Sequence, residues 1–323
     1  GLGRLLFYDP LLSGNNERSC ASCHKPTEFF TDTGVSTAFE FNHTGTLPRN
    51  TPSLLNAGLN QLLMLDGRHY NLQQQAAAVL VHEKEMNCAS ENLLQKVLSC
   101  DTYKQTLKKL LPYTPTEKEI GLEHLTSALS YYYTQFSRYD APFDRAMNGR
   151  QQLPVKVIEG FNLFMGKAQC GTCHFVPQFN GVKPPYTGSE FEVLGVPADK
   201  DFQHLSKDVG RYGVWPVAEM KQAFRTGTVR NVMHTAPYMH NGVFSTMEEV
   251  IDFYDNGGGK GKGLPIANQT LGEDKLLLTA EEKQALILFM HSLTEDIAWD
   301  TPPSRLPASK NKNWNNRVVG GLY

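Results

Sequence analysis

Apolar residues along the chain recur mostly at helical rather than alternating spacing. Leu122, Leu125, Leu129, Tyr132, Tyr133 and Phe136 fall on one face behind a Thr116-x-x-Glu119 capping pattern, which predicts a helix over 116–136. Its tyrosine run is expected in the core. Val155 to Met165 reads as another helix. Val250, Ile251, Phe253 and Tyr254 form the apolar side of a short one, opened by Ser245-Thr246-Met247-Glu248 and stopped by Gly257-Gly258-Gly259. A last helix is expected from Thr279-x-x-Glu282 to Leu293, with Leu286, Phe289, Met290 and Leu293 at helical intervals. Strand-type alternation is scarce, and the Pro/Gly-rich stretch 181–208 reads as irregular surface. The expected fold class is mainly α.

An apolar-aromatic segment precedes each of two matching motifs. Leu5-Leu6-Phe7 lies ahead of Cys20-Ala21-Ser22-Cys23-His24, and Phe161-Asn162-Leu163-Phe164 ahead of Cys170-Gly171-Thr172-Cys173-His174. With Gly149 and Pro154 marking a linker over 148–154, this loose repeat divides the chain into domains 1–150 and 151–323. The tail from Pro302 is either a linker or an arm packed on the body. The length of 323 residues fits two domains at roughly 150 residues each. Lys and Arg number 31 against 33 Asp and Glu, a net charge of −2, so there is no basic footprint for nucleic acid and no polybasic membrane anchor. The richest apolar windows, Ala76–Val81 and Ala285–Met290, are too short to span a bilayer.

Both motifs read C-x-x-C-H, the attachment pattern of c-type haem. Two thiols at this spacing can form thioethers with the two vinyl groups of one macrocycle, while the adjacent histidine reaches the iron. The expected architecture is therefore two cytochrome c-like domains, each around one covalent haem c. A zinc site would need two more ligands for each pair, and the 150-residue separation of the motifs argues for one cofactor per domain. A thioredoxin-like dithiol is the other bland reading. Haem c is assembled outside the cytoplasm, so a periplasmic location is expected. The start at Gly1-Leu2-Gly3-Arg4 then means that any export signal was removed or not included. In that compartment Cys88 and Cys100 either pair or stay as buried thiols. Electron transfer and peroxide chemistry both remain open at this point.

Further motifs in order along the chain are Leu2-Gly3-Arg4-Leu5-Leu6-Phe7-Tyr8-Asp9-Pro10, Arg49-Asn50-Thr51-Pro52-Ser53-Leu54-Leu55-Asn56, Asp66-Gly67-Arg68 and Glu85-Met86. Arg230-Asn231-Val232 and Thr235-Ala236-Pro237-Tyr238-Met239-His240-Asn241-Gly242 follow. Over nearly its whole length the sequence resembles the bacterial dihaem cytochrome c peroxidases and their MauG-like relatives. The resemblance implies that Cys20 and Cys23 anchor the peroxide-binding haem with His24 as proximal ligand. It places a pocket glutamine at Gln75 and a pocket glutamate at Glu85, the second suited to move a proton between peroxide oxygens. A solvated charge in the run His82-Glu83-Lys84-Glu85 is the alternative for Glu85. His43 lies within one residue of the family's distal histidine, so it is either a gate on that haem or a surface-loop residue.

By the same resemblance Cys170 and Cys173 anchor the second haem, with His174 proximal. The family's distal Met stands 17 residues beyond the Pro of the Thr-x-Pro-Tyr motif; here that residue is Tyr254, as in the MauG-like branch, with Met239 and Met247 as fallback ligands. Most relatives have a Trp before Asp-Gly-Arg, whereas this chain has Leu65. A calcium ion is implied at Asn50, Thr235 and Pro237, although Asn50 would also serve as a turn cap. The activity implied is reduction of hydrogen peroxide at the first haem with electrons entering through the second. A small c-type cytochrome or cupredoxin would be the donor and the protein a monomer or homodimer. Oxidation of a protein substrate by peroxide, and plain electron carriage with both irons closed, are the alternatives.

Overall fold

The computed structural model describes residues 1–114, 118–297 and 300–322. Its helices are α1 (Leu2–Phe7), α2 (Cys20–Cys23), α3 (Leu72–Val81), α4 (Ser90–Leu98), α5 (Asp101–Lys108), α6 (Leu122–Thr134), α7 (Pro142–Met147), α8 (Val155–Met165), α9 (Met247–Asp255), α10 (Gly258–Gly261) and α11 (Ala280–His291). Sheet among the described residues is one short antiparallel pair, β1 (Phe191–Glu192) with β2 (Phe224–Arg225), in the register Phe191 opposite Arg225. The chain is predominantly helical, as its periodicity predicts.

Two apolar cores account for most of the packing. One gathers Leu6, Phe7, Leu11, Phe30, Leu93, Tyr103, Leu129, Tyr132, Tyr133 and Phe136; the other gathers Phe143, Val157, Phe164, Phe179, Ile251, Leu286, Phe289 and Leu293. Each core contains a helix that precedes a C-x-x-C-H motif and crosses a later helix at a glycine. A Cβ on Gly3 of α1 would lie 2.0 Å from the Ala128 carbonyl oxygen of α6, and one on Gly160 of α8 the same distance from that of Ala285 on α11. Glycine at these two crossings lets the backbones meet. The apolar-aromatic repeat read in the sequence is thus a repeated helix crossing.

Three element boundaries differ from expectation. Thr116, the expected first cap, lies outside the described residues, and α6 begins only at Leu122, where the Gly121 amide donates to Nδ1 of buried His124 over 3.1 Å. The α9 cap is shifted by one residue from the Ser245–Glu248 pair. Thr246 Oγ1 accepts from the Glu249 amide, and the Glu249 carboxylate accepts from the amides of Thr246 and Ser245. This register puts Met247 and Ile251 inside. The glycine run does end α9, Gly257 having φ +76°, but the chain then makes one more helical turn as α10. The other expected bounds, α8 and the Thr279 cap of α11, match. Within the stretch expected as irregular surface, Val193 joins Ala223 and Ile266 in a small third core.

The tail is an arm packed on the body. Arg317 pairs with Asp9 through Nε and Nη2, at 2.5 and 3.0 Å, while Tyr103 donates to the same carboxylate over 2.7 Å. Asp9 is fully buried, and a buried carboxylate is tolerated only with such partners. Farther on, the Gly320 amide donates to the Tyr8 carbonyl and the Leu322 amide to that of Glu17. The halves also meet through Arg49, which pairs with Asp66 and Asp208, and through Arg211, which donates to the carbonyls of Asp66 and Gly67. No helix among the described residues is long and apolar enough to cross a membrane.

Candidate active site

Both C-x-x-C-H motifs form a single tight turn, and in both the histidine is oriented by a backbone carbonyl. His24 Nδ1 lies 3.0 Å from the Phe30 oxygen; His174 Nδ1 lies 3.2 Å from that of Phe179 and 3.0 Å from that of Gly227. A carbonyl accepts only, so Nδ1 carries the hydrogen and Nε2 is left as the free ligand atom. Burial lowers the pKa of both rings and keeps them neutral, the state that binds iron. Burial also pushes the thiols up, Cys20 and Cys173 to about 11, Cys23 and Cys170 to about 12. Such thiols are not poised as a redox dithiol or as ready thiolate ligands. Cys88 and Cys100 are buried free thiols rather than a disulfide.

Around the first motif, α2 starts at Ser19, whose amide donates to Ser22 Oγ, and both hydroxyls donate to the Gly320 carbonyl of the tail. Glu85 is partly buried, with Oε2 3.6 Å from His82 Nδ1 and its backbone carbonyl accepting from Arg18. Burial raises its pKa against the pull of His82, Arg68 and Arg18. Its charge in turn contributes to raising that of Cys23, so the carboxyl lies in the electrostatic neighbourhood of the first anchor. Of the run Gln73-Gln74-Gln75, only Gln75 is turned partly inward, its amide donating to Met64 Sδ over 3.8 Å. His43 sits on an exposed turn with φ +57°, its amide donating to the Glu40 carbonyl and its ring 5.9 Å from that of Phe39.

Around the second motif lies a cavity of about 750 Å³, lined by Cys170, Cys173, His174, Tyr254, Met239 and Met247. Asn50, Thr235 and Pro237 line it too, as does Leu65, whose carbonyl accepts from the Arg225 amide. The cavity therefore brings together both sequence-expected sets, the second-haem ligands and the calcium residues. Tyr254 is deeply placed, and burial first, then the charges of Cys170, Cys173 and Glu192, raise its pKa.

Three lining residues carry chemistry that their residue types alone did not disclose. Arg225 is enclosed, and burial alone brings its pKa down to about 10. Its side-chain hydrogen bonds run to neutral acceptors, the carbonyls of Met64 and Thr226 and Asn60 Oδ1, at 3.2–3.4 Å. Among the described residues no carboxylate pairs with this enclosed cation, which is costly, and a haem propionate at the cavity wall would complete it. Asn56 has both amide atoms buried without hydrogen-bond partners, again facing this cavity. His240 stacks on Phe224 at 3.9 Å and bonds Ser206, while its Nδ1 is buried without a partner. Asn56 and His240 lay inside recognised motifs; Arg225 had no local signal. The free histidine nitrogens, the cavity and this unpaired cation all fit haem.

The family profile for di-haem cytochrome c peroxidase matches residues 1–152. The methylamine utilization protein MauG of Methylorubrum extorquens is 30% identical over 94% of this chain and 80% of its own length. The cytochrome c551 peroxidase of Nitrosomonas europaea is 30% identical over 78% of this chain and 71% of its own. A crystal structure of a MauG-like protein associated with microbial copper homeostasis superposes with a TM-score of 0.77 at 27% identity, covering 92% of this chain and 90% of that one. Two oriented histidines, each behind a cysteine pair, together with these similarities, establish that the chain belongs to the di-haem cytochrome c peroxidase and MauG family and is an oxidoreductase of that peroxidase class.

Proposed function

We propose that the protein reduces hydrogen peroxide at a haem c held by Cys20, Cys23 and His24, and receives electrons through a second haem c held by Cys170, Cys173 and His174. Each haem is the centre of one cytochrome c-like domain, 1–150 and 151–323. The observation that carries this reading is Glu85: a partly buried carboxyl 3.6 Å from His82, its backbone carbonyl bound by Arg18, its pKa raised by burial, and with Asp32 one of the two carboxyls whose charge reaches Cys23 of the first anchor. When bound, haem supplies the iron at which the peroxide O–O bond is broken. Glu85 accepts the proton from one peroxide oxygen and returns it to the departing one, the role for which a carboxylate of raised pKa is suited. Gln75, whose amide makes only a weak contact with Met64 Sδ, would be available to donate a hydrogen bond in the same pocket. His24, held by the Phe30 carbonyl, would offer its Nε2 to the iron, and His43 on its exposed turn would serve as the distal gate.

At the second site Tyr254, which lines the cavity with His174, would hold the second haem's iron. A phenolate stabilises the ferric state and lowers the potential relative to a Met ligand. Arg225 balances a propionate. Asn50, Thr235 and Pro237 would hold a calcium ion, offering a side-chain amide oxygen and two backbone carbonyls toward the six to eight oxygens that such an ion takes. The donor is a small cytochrome or cupredoxin in the periplasm, meeting a monomer or homodimer. Tyr254 also favours a second reading, in which peroxide oxidises side chains of a partner protein, as the similarity to MauG suggests.

The test is an EPR spectrum of the ferric holoprotein beside its Tyr254→Phe variant, followed by peroxide with and without a reduced cytochrome. The expected result is one high-spin signal, one low-spin signal altered by the substitution, and donor oxidation on adding peroxide. Two low-spin signals indifferent to Tyr254 would remove that ligand from the assignment. Peroxide consumption without turnover of any donor would shift the reading to the protein-substrate alternative.

A further inference from the structure

Behind the first motif stands a group of tyrosines that the peroxide step above does not use. Tyr133 of α6 is fully buried and its hydroxyl is directed at Cys20, donating to Sγ over 4.0 Å. The Tyr132 ring is 6.4 Å away, centroid to centroid. Phe7 fills the angle between these rings and Tyr8, at 6.1 Å from Tyr133, 5.3 Å from Tyr132 and 5.2 Å from Tyr8. Tyr132 and Tyr8 then donate to one and the same oxygen, Asp300 Oδ2, over 2.8 and 2.6 Å. The Asp300 carboxylate is only 5% exposed, and Arg4 Nε stands 3.8 Å from its other oxygen.

These contacts divide the phenols by what can become of their protons. A phenol that loses an electron becomes a strong acid, so its oxidation is accessible only where a base already accepts the O–H bond. Tyr133 faces sulfur, which as a thioether takes no proton, so this ring is not itself oxidised and stands only as a buried bridge between the Cys20 anchor and the pair. Tyr132 and Tyr8 face a carboxylate at short hydrogen-bond distance, where electron loss and proton transfer occur together. Burial and the Asp300 charge raise the pKa of both, so neither is a phenolate at rest.

We propose that Tyr132 and Tyr8, sharing Asp300 as proton acceptor and reached through Tyr133, store one oxidising equivalent drawn from the peroxide reaction at the first haem. One electron passes from the pair to the haem centre that hydrogen peroxide has oxidised. The phenolic O–H bond breaks, the proton moves to Asp300 Oδ2, and a neutral tyrosyl radical remains hydrogen-bonded to the resulting carboxylic acid. An electron from the external donor, with return of the same proton, restores the resting pair. The proposal rests on the peroxidase reading, and it gives the oxidised protein a radical site displaced from the iron.

The experiment mixes the holoprotein with hydrogen peroxide, freezes it at successive times, and records haem absorption and EPR on the same samples. Wild-type protein carrying ring-deuterated tyrosine is compared with unlabelled protein. The double variant Tyr8→Phe/Tyr132→Phe, Asp300→Asn, and Tyr131→Phe at an exposed neighbour are run alongside. The expected result is an organic radical that narrows on deuteration. It is lost in the double variant, altered in hyperfine pattern and lifetime in Asp300→Asn, and unchanged in Tyr131→Phe. Haem absorption that responds to peroxide without any deuterium-sensitive radical in the wild type would overturn the proposal while sparing the peroxidase reading. So would a radical that survives the double variant. Haem absorption indifferent to peroxide in every protein would overturn both.

Discussion

The two C-x-x-C-H sites have the same near side and different far sides. In each, a helix crossing at glycine leads into a cysteine turn whose histidine donates Nδ1–H to a carbonyl. At the first site Ser19 and Ser22 donate to the Gly320 carbonyl of the tail, and the carboxyls whose charge reaches the anchor are Asp32 and Glu85. The second opens into a large cavity with a phenol, two thioethers and an unpaired guanidinium on its wall. The lesson is that the anchor makes a site a haem site, whereas the segments brought against its far side decide what the haem does. On the reading proposed above, the carboxyl near the first anchor would make that site reactive, while a phenol ligand and a buried charge would make the other an electron-transfer station.

Glu85→Gln tests the reactive half of this contrast with the largest effect. The peroxide reaction should slow by about 10²–10⁴-fold with both haem spectra preserved, read by stopped-flow absorbance. The wild-type rate should also fall on the acid side, because the carboxylate is the working form and its raised pKa means that it is protonated at higher pH than an ordinary glutamate. That limb should vanish in the variant; an unchanged pH profile would take Glu85 out of the chemistry.

Arg230→Met probes the second core. Arg230 is buried, binds both oxygens of Asp144 at 2.6 and 2.9 Å, and lies 3.6 Å from Glu295. Its removal leaves two carboxyls buried without their cation and should cost about 3–5 kcal/mol of stability, seen as early thermal unfolding. If both halves lose their haem environments together, the two cores unfold as one unit and the contrast between them is local only.

Arg225→Gln should lower the midpoint potential of the second haem, since a buried positive charge favours the reduced form. The first haem should be unaffected in the same redox titration. Equal shifts at both haems would place Arg225 between the sites rather than at one. Smallest is Thr246→Ala, which removes the α9 cap and should cost about 1 kcal/mol. Because Tyr254 is on that helix, the low-spin EPR signal should broaden while the first haem's signal stays sharp.

Much of this contrast could be read locally. Cys20-x-x-Cys23-His24 and Cys170-x-x-Cys173-His174 specify covalent anchor and proximal ligand within five residues, and Val155–Met165 and the Thr279 cap follow from periodicity and one side-chain acceptor. The α6 start was misplaced because a buried His124, rather than a Ser, Thr or acidic pair, supplies the acceptor there. The Glu249 cap was missed by one residue because Glu248 and Glu249 are equal as sequence, and only burial of Met247 selects between them.

Sequence by itself determined the helical class, the two anchors, their histidines and the candidate far-side residues Glu85 and Tyr254, since each is encoded in a short motif or a fixed count from one. Tertiary structure decided that Arg225 has no anion and that the tail returns to Asp9 and Gly320's partners on the first core. It also decided that Tyr8 and Tyr132 share Asp300. These pairs lie more than 100 residues apart or depend on the absence of a partner. Burial and charge compensation are properties of the assembled surroundings, and no local pattern carries them.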